Sequence, residues 1–388
     1  MKIVVLGGYG EMGSVISADL SKTAGSTEII VAGRDGKKAD ALAKSFRKRN
    51  VKGVEACSGN KDEMDRALEG AGVLINASNY YSNIEVMQSC LRNGVNYIDL
   101  GGMYHTSLLQ LKLGSSFRRK KLVAVIGCGS TPGITNLMAL HGSLQFDRIN
   151  SVDIAFSDYD KTEYNMPFVV PYSMHTVFDE FTSRPAVFND GKMTFAEPLS
   201  GEKVVDFPDP VGKATCYYSL HSELATLPKA FSGKGIRDVS FRGGWDKEFM
   251  RATKFLIDAG FASKEKTAVG ESAVAPRDVT VKLLNKFIPG RDIRITDLEY
   301  LKVELKGSLK GSPKALNVYC KSVTNRELNI SAGSWDTGVP PSIVAQEILK
   351  GRVSGHGVMA PESCVNPDLF FRELATREIK IFEKSGAS

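Results

Sequence analysis

Six cysteines in 388 residues, at positions 57, 90, 128, 216, 320 and 364, include no Cys-x-x-Cys pair. That scatter excludes a disulfide frame and a thiolate zinc site, and it predicts reduced thiols in a cytoplasmic protein. The five histidines (105, 141, 175, 221 and 356) lack metal-binding spacing, so no metal is expected. Excess charge is also scarce. Fifty basic against 44 acidic side chains leave +6, too thin to make nucleic acid the main partner. The basic runs at 47–49 and 118–121 each follow a helical pattern and read as solvated helix ends. Met1 leads into an apolar strand without a basic leader, so no signal peptide is expected. The one long uncharged stretch, Leu122 to Phe146, is interrupted by Gly127, Gly129, Pro132 and Gly133. A membrane helix would break there, so no membrane partner is expected. Composition is that of an ordinary globular protein, 42% hydrophobic and 24% charged. At roughly 150 residues per domain, the length implies two or three domains.

What is present is a rhythm. Lys2 to Leu6 (KIVVL), Glu28 to Ala32, Val73 to Ala77, Tyr97 to Leu100 and Leu122 to Ile126 are short apolar strands. Helical patterns separate several of them: Val15 to Leu20, Lys37 to Arg49 and Asn83 to Arg92. Apolar strands flanked by amphipathic helices predict a doubly wound parallel α/β sheet covered on both faces.

Between the first strand and the first helix lies Gly7-Gly8-Tyr9-Gly10-Glu11-Met12-Gly13. Gly8, Gly10 and Gly13 form a G-x-G-x-x-G fingerprint in its full strand–loop–helix context. Such a loop turns tightly, admits a pyrophosphate to the backbone and lets helix pack on strand, the signature of a Rossmann dinucleotide site. NAD enzymes place an acid about 20 residues on. Here that position is Gly33, followed by Arg34 and Asp35. A small residue leaves room for a 2′-phosphate and a guanidinium binds it, so NADP is the preferred cofactor. NAD stays possible, because a shift of one residue brings Asp35 to the ribose. Asn76, Ala77 and Ser78, after the third strand listed above, are candidate cofactor contacts or loop caps.

From about Ser151 the alternation fades. Val152 to Phe156, Val204 to Phe207, Ile236 to Phe241, Leu298 to Leu305 and Leu316 to Ser322 read as strands, with helices at Glu248 to Ala259 and Arg277 to Phe287. A hairpin is expected across Lys306 to Pro313. Helices at Pro340 to Lys350 and Pro367 to Thr376 and an apolar Ile379 to Phe382 follow. The predicted organisation is a Rossmann domain (1–135), a central α+β substrate and dimerisation domain (136–333), and a C-terminal segment (334–388) that returns to complete the Rossmann domain. Exposed edges of the central sheet predict a homodimer.

Four segments together resemble the saccharopine dehydrogenase family: the fingerprint, Tyr97-Ile98-Asp99-Leu100-Gly101-Gly102, the turn from Gly127 to Asn136 with its Pro132-Gly133-x-x-Asn136, and a C-terminal stretch holding Gly338-Val339-Pro340, Gly357-Val358 and Pro361-Glu362. The resemblance covers both ends well and the centre loosely. It implies an NAD(P)-dependent oxidoreductase acting on a carbon–nitrogen bond of a small amino-acid-derived or polyamine-derived substrate. Saccharopine reductase, lysine 6-dehydrogenase and carboxynorspermidine-forming enzymes are members. Saccharopine-making members carry an acid just before the Pro-Gly; Thr131 stands here, which counts against saccharopine as the substrate.

Such chemistry needs a proton path beside the nitrogen. His221, with Glu223 to orient it, is the candidate acid–base group; a hydrogen-bonded core histidine is the alternative. Asp99, at a strand's ligand-binding end, either contacts a substrate ammonium or caps the Gly101-Gly102 turn. Arg242 is a candidate carboxylate clamp or a plain ion pair. Thr131 and Tyr104 complete the expected substrate contacts. Two other functions stay open: a semialdehyde dehydrogenase using Cys128 as nucleophile, and a non-catalytic NADP(H)-binding sensor.

Overall fold

In the computed structural model, described for residues 1–289 and 292–385, the first six strands are β1 (Lys2–Leu6), β2 (Glu28–Gly33), β3 (Val51–Glu55), β4 (Val73–Asn76), β5 (Asn96–Asp99) and β6 (Val123–Val125). Next come β7 (Arg148–Asp160), β8 (Ala186–Asn189), β9 (Lys192–Phe195), β10 (Lys203–Asp206), β11 (Lys213–Tyr218) and β12 (Asp238–Gly244). The last are β13 (Thr267–Val269), β14 (Ser272–Val274), β15 (Asp297–Leu309), β16 (Ser312–Val323), β17 (Gly357–Met359) and β18 (Lys380–Ser385).

The first sheet is parallel throughout, in the order β17-β6-β5-β4-β1-β2-β3. Its apolar runs are continuous because both faces are buried. Ile3, Val5, Ile29 and Val31 enter one core, while Val4, Leu6, Ile30 and Ala32 enter the other. On the first face lie the helices Glu11–Thr23 and Ala332–Leu349. They meet where a Cβ on Gly338 would stand 2.5 Å from Val15 Cγ1. The sequence reading began that second helix at Pro340. It starts earlier, at Ala332, with Ser331 accepting from the Ser334 amide and Pro340 and Pro341 inside it.

The second sheet is mixed, in the order β10-β11-β12-β7-β15-β16-β18, with β8 paired to β12 and β9 to β8. The expected hairpin is β15–β16, turned at Lys310 and Gly311, both at positive φ. Strand β17 completes the parallel sheet, whereas β18 pairs with β16 in the mixed one. The chain end is therefore shared between the two sheets. A buried Arg377–Asp19 ion pair, 2.9 Å, ties it to the first helix. Among the described residues no helix is long and apolar enough to cross a membrane.

Candidate active site

The loop after β1 brings backbone against backbone. Gly7 has φ of +73°, and a Cβ there would lie 2.8 Å from the Ala77 carbonyl oxygen. A Cβ on Gly13 would lie 2.1 Å from the Gly7 oxygen, so no larger residue fits. At Gly10 an added Cβ meets only that oxygen, at 3.1 Å, and otherwise faces open space. The helix starting at Glu11 has no side-chain cap. Those starting at Gly36, Lys61 and Lys247 are capped by Asp35, Asn60 and Asp246. Free first-turn amides, a helix dipole and room above Gly10 fit a dinucleotide pyrophosphate.

At the end of β2 the Tyr9 hydroxyl accepts from the Asp35 amide at 2.9 Å, and the Tyr9 ring fills the space a Gly33 side chain would need. Asp35 spends its carboxylate on the Lys38 amide, 3.0 Å away. Arg34 is exposed and has no ion-pair partner among the described residues. Of the two charged neighbours, the arginine is thus the free one. Glu11 and Met12 open the first helical turn beside the loop. Asn76 and Ser78 bond each other at 2.6 Å, and Asn76 also donates to Asn83 at 2.9 Å. They shape the loop after β4, whose Ala77 backbone supports Gly7.

Asp99, at the end of β5, is buried and saturated. It accepts from the Gly101 and Gly127 amides at 2.9 and 2.8 Å, and from Tyr97, Gln110 and Asn83 at 2.9, 2.5 and 3.2 Å. Burial pushes its carboxyl above the usual range despite these donors. Of the two readings of Asp99, this geometry is that of the turn cap. Beside it, Pro132 packs so closely on Gly101 and Gly127 that an added Cβ would stand 3.0 and 2.9 Å from its Cγ. Thr131, half-buried, opens that turn. Tyr104 is buried with its ring edge-on to His105 and Phe195.

The central domain lays the segment after β11 across this edge. Ser222 Oγ lies 3.6 Å from where a Gly101 Cβ would stand, which places His221 at the carboxyl ends of the parallel strands, where such sheets bind ligands. The His221 ring stacks on Phe241 of β12, centroids 3.7 Å apart. Its Nδ1 is 3.0 Å from Glu223 Oε2, and its Nε2 is 3.9 Å from Glu180 Oε1. Thr135 donates to the other oxygen of Glu223 at 3.4 Å. Burial alone would lower the His221 pKa, but the charge and hydrogen bond of Glu223 and the charge of Glu180 outweigh it, and the net shift is upward. Burial lifts Glu180 to about 7, opposed by His221 and by a hydrogen bond from Tyr172 at 2.6 Å. An imidazole whose hold on its proton is strengthened and a carboxyl lifted to about 7 can serve as acid and base.

Arg242 is not brought to this place. Strand alternation turns it to the face opposite Phe241. There it pairs with Asp153 at 2.9 Å, bonds Ser240 and the Gly201 carbonyl, and stacks on Tyr218. The plain ion pair replaces the carboxylate clamp. Cys128 does not suit a nucleophile either. It is buried, burial drives its thiol well above the usual value, and His141 is turned to Glu383 and Asp368. An activated thiolate needs a neighbouring cation or base.

Glu180, which faces His221, Tyr172, which donates to Glu180, and Trp245, which donates to Tyr172, escaped the sequence reading as parts of the site. Glu180 rides on the helix Met174–Thr182, whose buried Met174, Val177, Phe178 and Phe181 have helical spacing that signals the helix but not the role of its acid.

With this geometry in view, the comparisons with known proteins are direct. Residues 3–125 match the saccharopine dehydrogenase NADP binding domain and residues 129–379 the saccharopine dehydrogenase C-terminal domain. A carboxyaminopropylagmatine dehydrogenase from Synechocystis sp. is 23% identical, covering 96% of this chain and 95% of that protein. A carboxynorspermidine synthase from Vibrio alginolyticus is 22% identical, covering 89% and 88%. Apo saccharopine dehydrogenase (L-Glu forming) from Saccharomyces cerevisiae superposes with a TM-score of 0.76 at 17% identity over the whole of both chains, a likeness of fold. The two matches together span nearly the whole chain and place it in the saccharopine dehydrogenase family of NADP-binding oxidoreductases.

Proposed function

We propose that the protein transfers a hydride between NADP(H) and the carbon of a C–N bond in an amino-acid-derived amine. The observation that carries this reading is the His221–Glu223–Glu180 group, set by the central domain over the turns that end β5 and β6, on the same carboxyl edge of the parallel sheet as the fingerprint loop. The names of the Synechocystis and Vibrio relatives point to amine-derived substrates, which supports the same class. Preference for NADP over NAD is assigned to Arg34, an exposed cation at the end of β2 without an ion-pair partner among the described residues, with Asp35 committed to its helix cap.

The bound nicotinamide supplies or accepts the hydride. The protein's own groups do the rest. Free amides at Glu11, Met12 and Gly13 hold the pyrophosphate, and the loop at Asn76 and Ser78 fixes the floor beside it. In the oxidising direction the amine nitrogen gives its proton to His221 Nε2, the nitrogen that Glu223 leaves free by holding Nδ1. In the reducing direction the same atom returns it. Glu180, facing Nε2, takes up or restores that proton in turn. Thr131 and Tyr104 border the substrate side. The enclosing central domain, which would keep water from the imine, belongs to this reading, as does a homodimer through that domain, checked by sedimentation.

The test is nicotinamide absorbance in mildly alkaline buffer with NADP⁺, then NAD⁺, against L-lysine, L-saccharopine, L-ornithine and agmatine-derived or diamine-derived amino acids. Growth of the reduced band with one amine, faster with NADP⁺, is the expected result. His221→Asn should lower kcat by about a hundredfold, within the usual range for a general acid–base group. A flat trace throughout, with NADPH still bound, would favour the sensor instead.

A further inference from the structure

Strands β7 and β15 carry an arrangement that sheets avoid. In their antiparallel register Asp158 stands opposite Glu299 and Asp160 opposite Asp297. Like charges directly across a strand pair repel, and here two pairs follow one another on one face. The helix Ala332–Leu349 adds a fifth carboxylate. Its first residue donates to Asp297 at 3.0 Å, and a Cβ on Gly333 would lie 2.7 Å from Glu299 Oε2. One turn on, Asp336 is fully buried, and neither of its oxygens has a hydrogen-bond partner among the described residues.

No lysine or arginine among the described residues pairs with any of the five. Asp160 and Asp297 are satisfied by hydroxyls and amides. Asp158, Glu299 and Asp336 are not. Asp158 is exposed to solvent, and desolvation with the charges of Asp160 and Asp297 lifts its carboxyl to about 6. Burial and the mutual repulsion of the group push Glu299 and Asp336 upward. Asp158 follows Ser157, which pairs with Gly244 at the end of β12; the next residue, Trp245, donates to the Tyr172 hydroxyl at 3.2 Å, and Tyr172 donates to Glu180 beside His221 at 2.6 Å, so a short chain of contacts joins the cluster to the candidate proton carrier. Next to Asp336, Thr337 bonds Ser130 of the turn that ends β6, at 2.9 Å.

A buried carboxylate without a partner is costly, and proteins keep one where a ligand completes it. Among the described residues no three acidic, histidine or cysteine side chains are placed to share a metal ion. A cation with several N–H donors spread over a few ångströms fits better.

Resting on the reading above, we infer that Asp158 and Glu299, backed by Asp336, form a subsite for a second, non-reacting alkylammonium or guanidinium group of the substrate. The substrate is then at least a dication-bearing amine: one nitrogen reacts beside His221 while a distal cation anchors in the carboxylate cluster. This contact fixes which carbon faces the nicotinamide.

The experiment is calorimetric titration of the full-length protein, saturated with NADP⁺, with 1,4-diaminobutane and with agmatine, alongside NADPH binding followed by fluorescence. Both cations should bind, the better one telling ammonium from guanidinium. Glu299→Gln and Asp158→Asn should each weaken that binding at least tenfold, with NADPH affinity within twofold of the parent. Because they remove repulsion, both variants should also melt at or above the parent temperature. Failure of the parent to bind either cation, or equal binding by the variants, overturns the subsite. If cofactor-linked amine turnover persists in that event, the function stands and only the subsite falls. If NADPH does not bind the parent at all, the functional reading itself fails.

Discussion

Two buried carboxylates, Asp99 and Asp336, end up in opposite conditions. Asp99 sits among five donors that close the turns after β5 and β6, while Asp336 sits among other acids with no donor among the described residues. The same contrast separates two arginines. Arg242 is locked between Asp153, Ser240 and Tyr218, and Arg34 stands free at the end of β2. Saturated polar groups hold the fold, because removing them strands their partners in a dry interior. A buried unsaturated carboxylate holds a cost that a ligand can relieve, whereas an exposed cation such as Arg34 is solvated and stays available to one.

The sharpest way to break this contrast is Asp99→Ala. It leaves two amides and three side chains unpaired and should cost about 3–5 kcal/mol of stability in urea unfolding. A drop under about 1 kcal/mol would mean that the network is not structural. Next, Arg34→Ala should leave stability unchanged yet weaken NADPH binding by about 1.5–3 kcal/mol, the range for hydrogen bonds to charged groups, with NADH little affected. Equal losses for both cofactors would remove Arg34 from the 2′-phosphate.

A third measurement uses pH. Glu180 binds its proton more tightly folded than unfolded, so stability present near pH 4.5 should be lost as pH rises through about 7. His221, also raised, adds a loss of the same sign that begins near its ordinary 6.5. Glu180→Gln should flatten the acid part of this curve, and an unaltered slope from pH 5 to 7 in that variant would contradict the assignment. The smallest effect belongs to Asp336→Asn. Within about 1 kcal/mol of the parent, or more stable, is expected in the ligand-free protein, because no partner is lost. A large destabilisation would show that Asp336 has a structural bond after all.

Much of the parallel sheet was legible. Strands such as β1 and β4 are continuous apolar runs because both faces are covered, and such runs stand out in any sequence. Strand β3 (VKGVE), at the sheet edge, passed unnoticed since it needs little hydrophobicity there. Strand β17, only Gly357–Met359, also owes its place to its neighbour β6 rather than to its own three residues.

The cofactor end of the site is local chemistry. The glycines at 8, 10 and 13 and the residues at 33–35 lie within short stretches of chain, so spacing alone carried the dinucleotide reading. The substrate end is not local. His221 and Glu223 are two residues apart, but Glu180 reaches them from a helix forty residues earlier, and Phe241 from a strand twenty residues later. Which face Arg242 would take depended on the register of β12, and which acids would meet without a cation depended on the pairing of β7 with β15. Sequence by itself determined the central strands of the parallel sheet, the fingerprint and a dinucleotide as the cofactor, since each is written in neighbouring residues. Only the tertiary structure decided which charged groups are satisfied and which are left open, because a charge is completed by whatever the fold carries to it.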